Sequence, residues 1–222
     1  MSTWGEGNSL IQDLYPIRDL VDGFDAKSVM WVDVGGGYGQ KTIALKRAIL
    51  DLPGRFVVQD LPGTVQNAPK HEGIDFLGHD FFTEQPIKGV YQYLTPEKAT
   101  SRYKYGSSNY TRLPSHLGAK AYYIRQCLHN WPADKCLTIL TQFRKAMKPG
   151  YSKLFVHELI VPARGASTWV TTQDFNMMTL CATLERTEAQ WKVILDEAGL
   201  KVVAVYPAPD EASEGVIEAE LV

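Results

Sequence analysis

Residues 31–39, Trp-Val-Asp-Val-Gly-Gly-Gly-Tyr-Gly, carry the strongest chemical signal in the chain. An apolar β-type run, Val29 to Val34, stops at Gly35, Gly36 and Gly37, with Gly39 close behind. Lys41 to Leu50 then continues with apolar residues at helical spacing. A strand that turns through glycines into a helix lets a nucleotide-like ligand lie against bare backbone, because glycine has no Cβ and tolerates positive φ. A second apolar run, Arg55 to Gln59, ends at Asp60, where an acid can take the hydroxyls of a ribose. A dinucleotide fingerprint wants a further glycine three places after the second, and the two ways of counting put Gln40 or Thr42 there. The phosphate-cradling Gly-Lys-Ser/Thr sequence is also absent, since Gln40 follows Gly39. The pattern fits a ligand with a ribose and no pyrophosphate, such as S-adenosylmethionine, better than a nicotinamide cofactor.

The elements that must position this turn can be read along the chain. Gly73–Leu77 reads as a third strand, ending at His79, Asp80, Phe81 and Phe82. Lys120–Ile124 reads as a fourth, ending at Arg125 to His129. Pro132 and Asp134 open a helix whose apolar positions, from Cys136 to Met147, keep helical spacing until Lys148-Pro149-Gly150 stops it. Ser152–Val156 is a fifth strand leading to Glu158, and a helix from about Thr187 to Ala198 is closed by Gly199. Lys201–Tyr206 and Val216–Val222 follow, the latter alternating Ile217, Ala219 and Leu221 with Glu218 and Glu220, as an antiparallel strand with one wetter face would. Strands alternating with helices predict an α/β fold with a mostly parallel sheet, and ligands in such folds sit beyond the carboxyl ends of the strands. That rule gathers Gly35–Gly39, Asp60, Asp80–Phe81, Arg125–His129 and Glu158 at one edge.

Composition narrows the field. At 222 residues the chain is within the single-domain range, and its net charge of −2 gives no general reason to expect nucleic acid or an anionic membrane as partner. No apolar run reaches the ~20 residues that span a bilayer, and Met1–Leu10 lacks a signal-peptide core. Cys127, Cys136 and Cys181 sit in apolar contexts without a C-x-x-C, which reads as reduced thiols in a cytoplasmic protein. None of the histidines makes a zinc-type spacing, so no metal is expected.

Taken in order, Val-Asp-Val-Gly-Gly-Gly (32–37), Val-Gln-Asp-Leu-Pro (58–62), His-Asp-Phe-Phe (79–82), Leu-His-Asn-Trp-Pro (128–132), Ala-Met-Lys-Pro-Gly (146–150), Gln-Asp-Phe-Asn-Met-Met (173–178) and Glu-Arg-Thr-Glu (185–188) give the chain a family likeness. It resembles the catalytic domain of the plant-type small-molecule O-methyltransferases, especially their fungal secondary-metabolism branch. The resemblance implies a Rossmann-like, doubly wound, mostly parallel seven-stranded sheet with an antiparallel C-terminal strand. It implies S-adenosylmethionine as methyl donor and a phenolic or polyketide-like hydroxyl as acceptor. Gly35, Gly36 and Gly37 would line the methionine end, Asp60 and Leu61 the ribose, and Asp80 with Phe81 the adenine. Arg125 stands where relatives often carry a cofactor-contacting lysine. His129 matches the general base, Glu158 and Glu185 the two acids flanking it, and Met177 and Asn130 positions near the acceptor. Read locally, Glu185–Glu188 is a helix start capped by Thr187, Met177 is core filling, and Asp33 and Asp80 are turn formers.

The chain also departs from that pattern. It begins about thirty residues before the glycine turn, with 1–28 reading as a linker or helical lead-in to a domain over 29–222. Relatives carry a further N-terminal helical domain that dimerises and closes the acceptor pocket, so the expectation is a catalytic domain without that dimer contact or cover. An inactive remnant that keeps a cofactor or partner site is the other reading. Residues 90–117, with tyrosines at 91, 93, 103, 105 and 110 and no sustained period, read as an insertion at the sheet edge opposite the cofactor, either translated intron or lineage-specific loop. Asn130 replaces the Asp usual after the base.

Overall fold

The computed structural model describes residues 9–26, 28–88, 118–210 and 214–222. The expected insertion at 90–117 lies outside the described residues. A short helix α1 (Ile11–Leu14) leads into β1 (Val29–Val34), α2 (Gln40–Ala48), β2 (Arg55–Asp60), the one-turn α3 (Pro62–Val65) and β3 (Ile74–Gly78). After the undescribed stretch come β4 (Ala119–Arg125), α4 (Ala133–Ala146), β5 (Lys153–Glu158), β6 (Ile160–Val161), α5 (Thr168–Cys181), β7 (Arg186–Thr187), α6 (Glu188–Glu197), β8 (Leu200–Tyr206) and β9 (Gly215–Leu221).

Seven strands form one sheet in the order β3-β2-β1-β4-β5-β9-β8. All neighbours are parallel except β9, which runs antiparallel to both β5 and β8. The expected doubly wound, mostly parallel sheet with an antiparallel C-terminal strand is therefore the observed one. Order reverses between β1 and β4, the switch point beyond whose strand ends such sheets take their ligands.

Alternate residues of the central strands serve opposite faces, as the pleat requires. Val32, Val34, Tyr122, Ile124, Leu154 and Val156 pack with α4 and α6 on one side. Trp31, Phe56, Val58, Tyr123 and Phe155 pack on the other with Leu45 of α2 and with Ile11, Tyr15, Ile17 and Leu20. Residues 11–20 of the lead-in contribute to this core: Tyr15 meets the Phe155 ring at 4.6 Å and the Tyr206 ring at 5.4 Å between centroids. Trp31 lies tilted on Tyr123 at 4.9 Å, and its indole N–H donates to Thr42 Oγ1 at 3.2 Å.

The wetter face expected of the last strand is not found. β9 lies between two neighbours and is buried from Gly215 to Ala219. Glu218, 3% exposed, is paired with Lys153 and accepts from the Tyr206 hydroxyl at 2.8 Å. Insertion of β9 between β5 and β8 overrides its alternation, and partners supplied by both neighbours make the buried acid tolerable. Helix α5 carried no readable period because Trp169, Val170, Phe175, Met177, Met178 and Leu180 lie all round its axis, although only Val170 and Met177 are buried.

The helix-packing glycine that the dinucleotide count sought at Gln40 or Thr42 is in fact Gly39. It caps α2 at φ +77, and a Cβ there would lie 3.1–3.2 Å from Val58 and Phe76. Gly150 has a similar φ of +66 with nothing within 4 Å. Gly150→Ala is expected to cost about 1 kcal/mol for the left-handed backbone alone. Gly39→Ala is expected to cost about 1–3 kcal/mol more through overpacking. Urea midpoints of the two variants check this, and equal losses would show that the contact at Gly39 relaxes freely.

Candidate active site

The glycine turn is bare on one side because the other is full. A Cβ on Gly35 would lie 2.5 Å from Cys127 Sγ, and one on Gly36 2.6 Å from the Asp33 carboxyl carbon. Gly35 N and Gly36 N donate to Gln59 O at 2.8 and 3.0 Å, tying the turn to the end of β2. Gly37 N donates to Asp60 Oδ2 at 2.9 Å and Leu61 N to Asp60 Oδ1 at 2.8 Å. Each Asp60 oxygen therefore has one backbone donor and keeps acceptor capacity for another, an arrangement suited to a vicinal diol. Beneath the turn, burial pushes the Asp33 carboxyl up to about 6, opposed by the Thr42 hydroxyl, which donates to it at 2.7 Å, and by the charge of Arg125.

Asp80 and Phe81 follow β3 at the same edge. Asp80 is exposed and caps its own turn, accepting from Phe82 N at 3.0 Å. The Phe81 ring reaches to 3.8 Å from the Cβ position of Gly35 and is braced edge-on by Phe82 and Trp131.

Cys127 joins this half of the edge to the other. Its thiol lies against Gly35, and its backbone N–H, with that of Leu128, donates to Glu158 Oε1 at 3.1 and 2.9 Å. The 3-10 turn Leu128–Asn130 then sets His129 over two acids. His129 Nδ1 is 2.9 Å from Glu185 Oε1 and 3.8 Å from Glu158 Oε2. Glu158 is fully buried and Glu185 is 6% exposed, so Glu185 is not a solvated charge at a helix start, although Thr187 does cap α6, accepting from Gln190 N.

Neighbouring segments hold the triad in register. The parallel pair β6–β7 sets Ile160 beside Arg186, two residues after Glu158 and one after Glu185, which holds the two acids near each other. Asp174 of α5 accepts from Glu185 N at 2.8 Å, Thr183 Oγ1 donates to His129 O at 2.7 Å, and Arg186 donates to Leu128 O and to Trp131 O. Sequence reasoning missed Asp174 although it lies within the 173–178 motif, and missed β6–β7 because two-residue strands carry no period.

The charge state follows from these contacts. Burial holds the His129 imidazolium down, but Glu158, the Glu185 hydrogen bond and charge, and Glu214 outweigh it and push it up to about 9. Burial pushes Glu158 up to about 7, with His129 pulling the other way. The balance of these contacts favours the protonated form of His129 at neutral pH.

The remaining expected residues, Arg125, Asn130 and Met177, have protein neighbours of their own. Arg125 pairs with Glu214, whose carboxylate accepts from its Nε at 2.8 Å. The Asn130 amide is engaged within the protein, donating to Gln126 O at 3.3 Å and accepting from Cys181 Sγ at 3.5 Å. Met177 is buried on α5, which packs against the His129 turn. A groove of about 540 Å³ lies between Pro132, Leu184 and Val193, away from the glycine turn, and none of the expected site residues lines it.

Comparison with known proteins identifies the family. The O-methyltransferase domain family matches residues 87–201. Methyltransferase cfoC of Aspergillus candidus is 36% identical over 218 residues, covering 96% of this chain and 47% of its own. Demethylsterigmatocystin 6-O-methyltransferase stcP of Emericella nidulans is 35% identical over 195 residues, covering 87% of this chain and 81% of its own. The crystal structure of OxaC in complex with SAH and oxaline superposes with a TM-score of 0.77 at 30% identity, over 96% of this chain and 48% of that one. The chain belongs to the O-methyltransferase family, and it spans about half the length of most of the curated relatives it matches.

A histidine held above its unfolded value adds stability that is full below about 6.5 and is lost as pH rises through about 9. Raising the pH from 6.5 to 9.5 should therefore lower stability by about 3 kcal/mol, and His129→Gln should remove most of that dependence. Urea titrations at the two pH values test it, and an unchanged slope in the variant would mean that His129 is not the titrating group.

Proposed function

We propose that residues 29–222 form the methyltransferase domain of an S-adenosylmethionine-dependent O-methyltransferase acting in the cytoplasm on a hydroxylated aromatic secondary metabolite. The observation that carries this reading is His129 bonded to Glu185 at 2.9 Å, on the same sheet edge as a glycine turn and a ribose-competent Asp60. The donor set suits the cofactor: bare backbone at Gly35–Gly37, acceptor capacity at Asp60, and an aromatic face at Phe81 beside the turn. The similar proteins include a demethylsterigmatocystin 6-O-methyltransferase and the OxaC structure in complex with SAH, which supports the reading.

When bound, S-adenosylmethionine supplies a methyl group already activated by its sulfonium. The protein must align an oxygen with it and take the oxygen's proton. A phenol of pKa near ~10 is ionised about one part in a thousand at pH 7, which withholds roughly 4 kcal/mol of reactivity. His129 removes that proton through Nε2, since Nδ1 is committed to Glu185. Glu185 fixes the tautomer and stabilises the imidazolium formed, while Glu158 braces the turn through Cys127 N and Leu128 N and adds a second negative charge beneath the ring. Gly35, Gly36 and Gly37 take the methionine end, Asp60 and Leu61 the ribose, and Asp80 and Phe81 the adenine. The acceptor meets His129 beside α5, whose Phe175 and Met178 leave apolar surface exposed.

A base has to be neutral to act, and His129 is protonated below about 9. His129 gives up that proton more readily beside a sulfonium, because like charge disfavours the imidazolium. Turnover per donor-bound enzyme should therefore rise with pH toward a plateau near or below 9. Glu185→Gln should move the rise to lower pH, since it removes a charge that stabilises the imidazolium, and should lower the plateau. His129→Ala should reduce turnover at least ~100-fold with SAH affinity nearly unchanged. Steady-state rates on a panel of phenols, with SAH calorimetry on the same preparations, check both. Near-normal turnover of His129→Ala would end its role as base, and SAH binding without turnover on any phenol would favour a cofactor-binding remnant.

A further inference from the structure

A buried acid that the mechanism leaves unused, Glu214, stands just before β9 at 2% exposure. One carboxylate oxygen accepts from Arg125 Nε at 2.8 Å with a second guanidinium nitrogen at 2.6 Å, and the other accepts from the Gln126 amide. Its backbone carbonyl accepts from Ser9 Oγ at 2.8 Å, so the lead-in holds it from behind. Gln126 takes a left-handed φ of +48, unusual for a residue with a Cβ, and its backbone N–H donates to His157 O at 3.1 Å. The chain therefore leaves β4 through a kink pinned to the entrance of β9.

The position of this clamp explains its purpose. Val34 pairs with Ile124, so Arg125 emerges beside Gly35, and Cys127 Sγ bridges them, 3.2 Å from Arg125 O and against Gly35. Lys41, in the first turn of α2, is close enough that burial and the charge of Arg125 hold it below its ordinary value while Glu214 opposes them. The next group inward, His157, takes the Tyr123 hydroxyl at 2.8 Å, and burial with Arg125 and Lys41 drives it down to about 3, so it stays neutral. Arg125 and Lys41 thus bring two cations beside the glycine turn, among Glu214, Asp33 and Asp60, and the amino end of α2 adds positive character on the Lys41 side. A guanidinium whose orientation is already fixed loses little freedom when it binds a carboxylate, which is what an acid partner provides.

We propose that Glu214 is a positioning residue of the donor site, clamping Arg125 so that, with Lys41, it receives the carboxylate of the donor's amino-acid moiety. The proposal rests on the S-adenosylmethionine reading above. Its test compares two probes that share the nucleoside and differ at that moiety: SAH, which carries the amino acid, and 5′-methylthioadenosine, which lacks it. Calorimetry on wild type, Glu214→Gln, Arg125→Gln and the double variant should show SAH weakened at least tenfold by Glu214→Gln, with 5′-methylthioadenosine changed less than twofold. Arg125→Gln should do the same, and the double variant should be no worse than Arg125→Gln alone, because Glu214 acts through Arg125. Unchanged SAH affinity in Glu214→Gln, equal loss for both probes, or additive losses in the double variant would each overturn the proposal. If Glu214→Gln does not fold, the double variant, which removes both buried charges together, is read against Arg125→Gln. Wild type binding neither probe would overturn the donor reading itself and this proposal with it.

Discussion

Asp33, Glu158, Glu185 and Glu214 are all buried at or beyond the carboxyl ends of the central strands, where charge survives only with donors at hand. Almost all of those donors come from the segment 125–129. Arg125 and Gln126 serve Glu214, Cys127 N and Leu128 N serve Glu158, and His129 Nδ1 serves Glu185. Asp33 looks to Thr42 of α2. The link between β4 and α4 is therefore held from several sides at once, and the shape of the site follows from it. Cys127 is drawn down against Gly35, the Gln126 kink is fixed, and His129 has one orientation available to it.

The same demand for partners sets the charge of His129. Flanked by two buried carboxylates, it is held as an imidazolium, which steadies the fold. If His129 is the base proposed above, stability and readiness oppose each other there, and a cationic donor would ease that opposition, because its sulfonium competes with the imidazolium for the same negative field.

Family membership and this site describe the sheet edge and not a whole enzyme. The relatives cfoC and OxaC are about twice as long as the span they share with this chain. Exposed Trp169, Phe175, Met178 and Leu180 on α5 mark apolar surface beside the His129 turn. What the described residues build is a glycine turn with Asp60 on one side of the edge and His129 with its two acids on the other.

Local patterns made much of this legible. Glycines after an apolar run, Asp60 at the next strand end, the Lys-Pro-Gly stop and the Thr187 cap are short-range signals. They determined the α/β class, the parallel core of the sheet, its ligand edge and most element boundaries to within a residue or two. Three features escaped. Helix α5 has apolar residues on every side, β6–β7 is too short to alternate, and Glu218 sits at a position whose alternation predicted water. In each case neighbours far along the chain decided the outcome. The same holds for the charges. Sequence named His129, Glu158 and Glu185 through their motifs, but only folding sets Nδ1 2.9 Å from one acid and 3.8 Å from the other. Only folding turns Arg125 toward Glu214, 89 residues away. Backbone conformation is chosen by residues a few places apart, whereas the partner and protonation state of a buried charge depend on whatever the whole chain brings within a few ångströms.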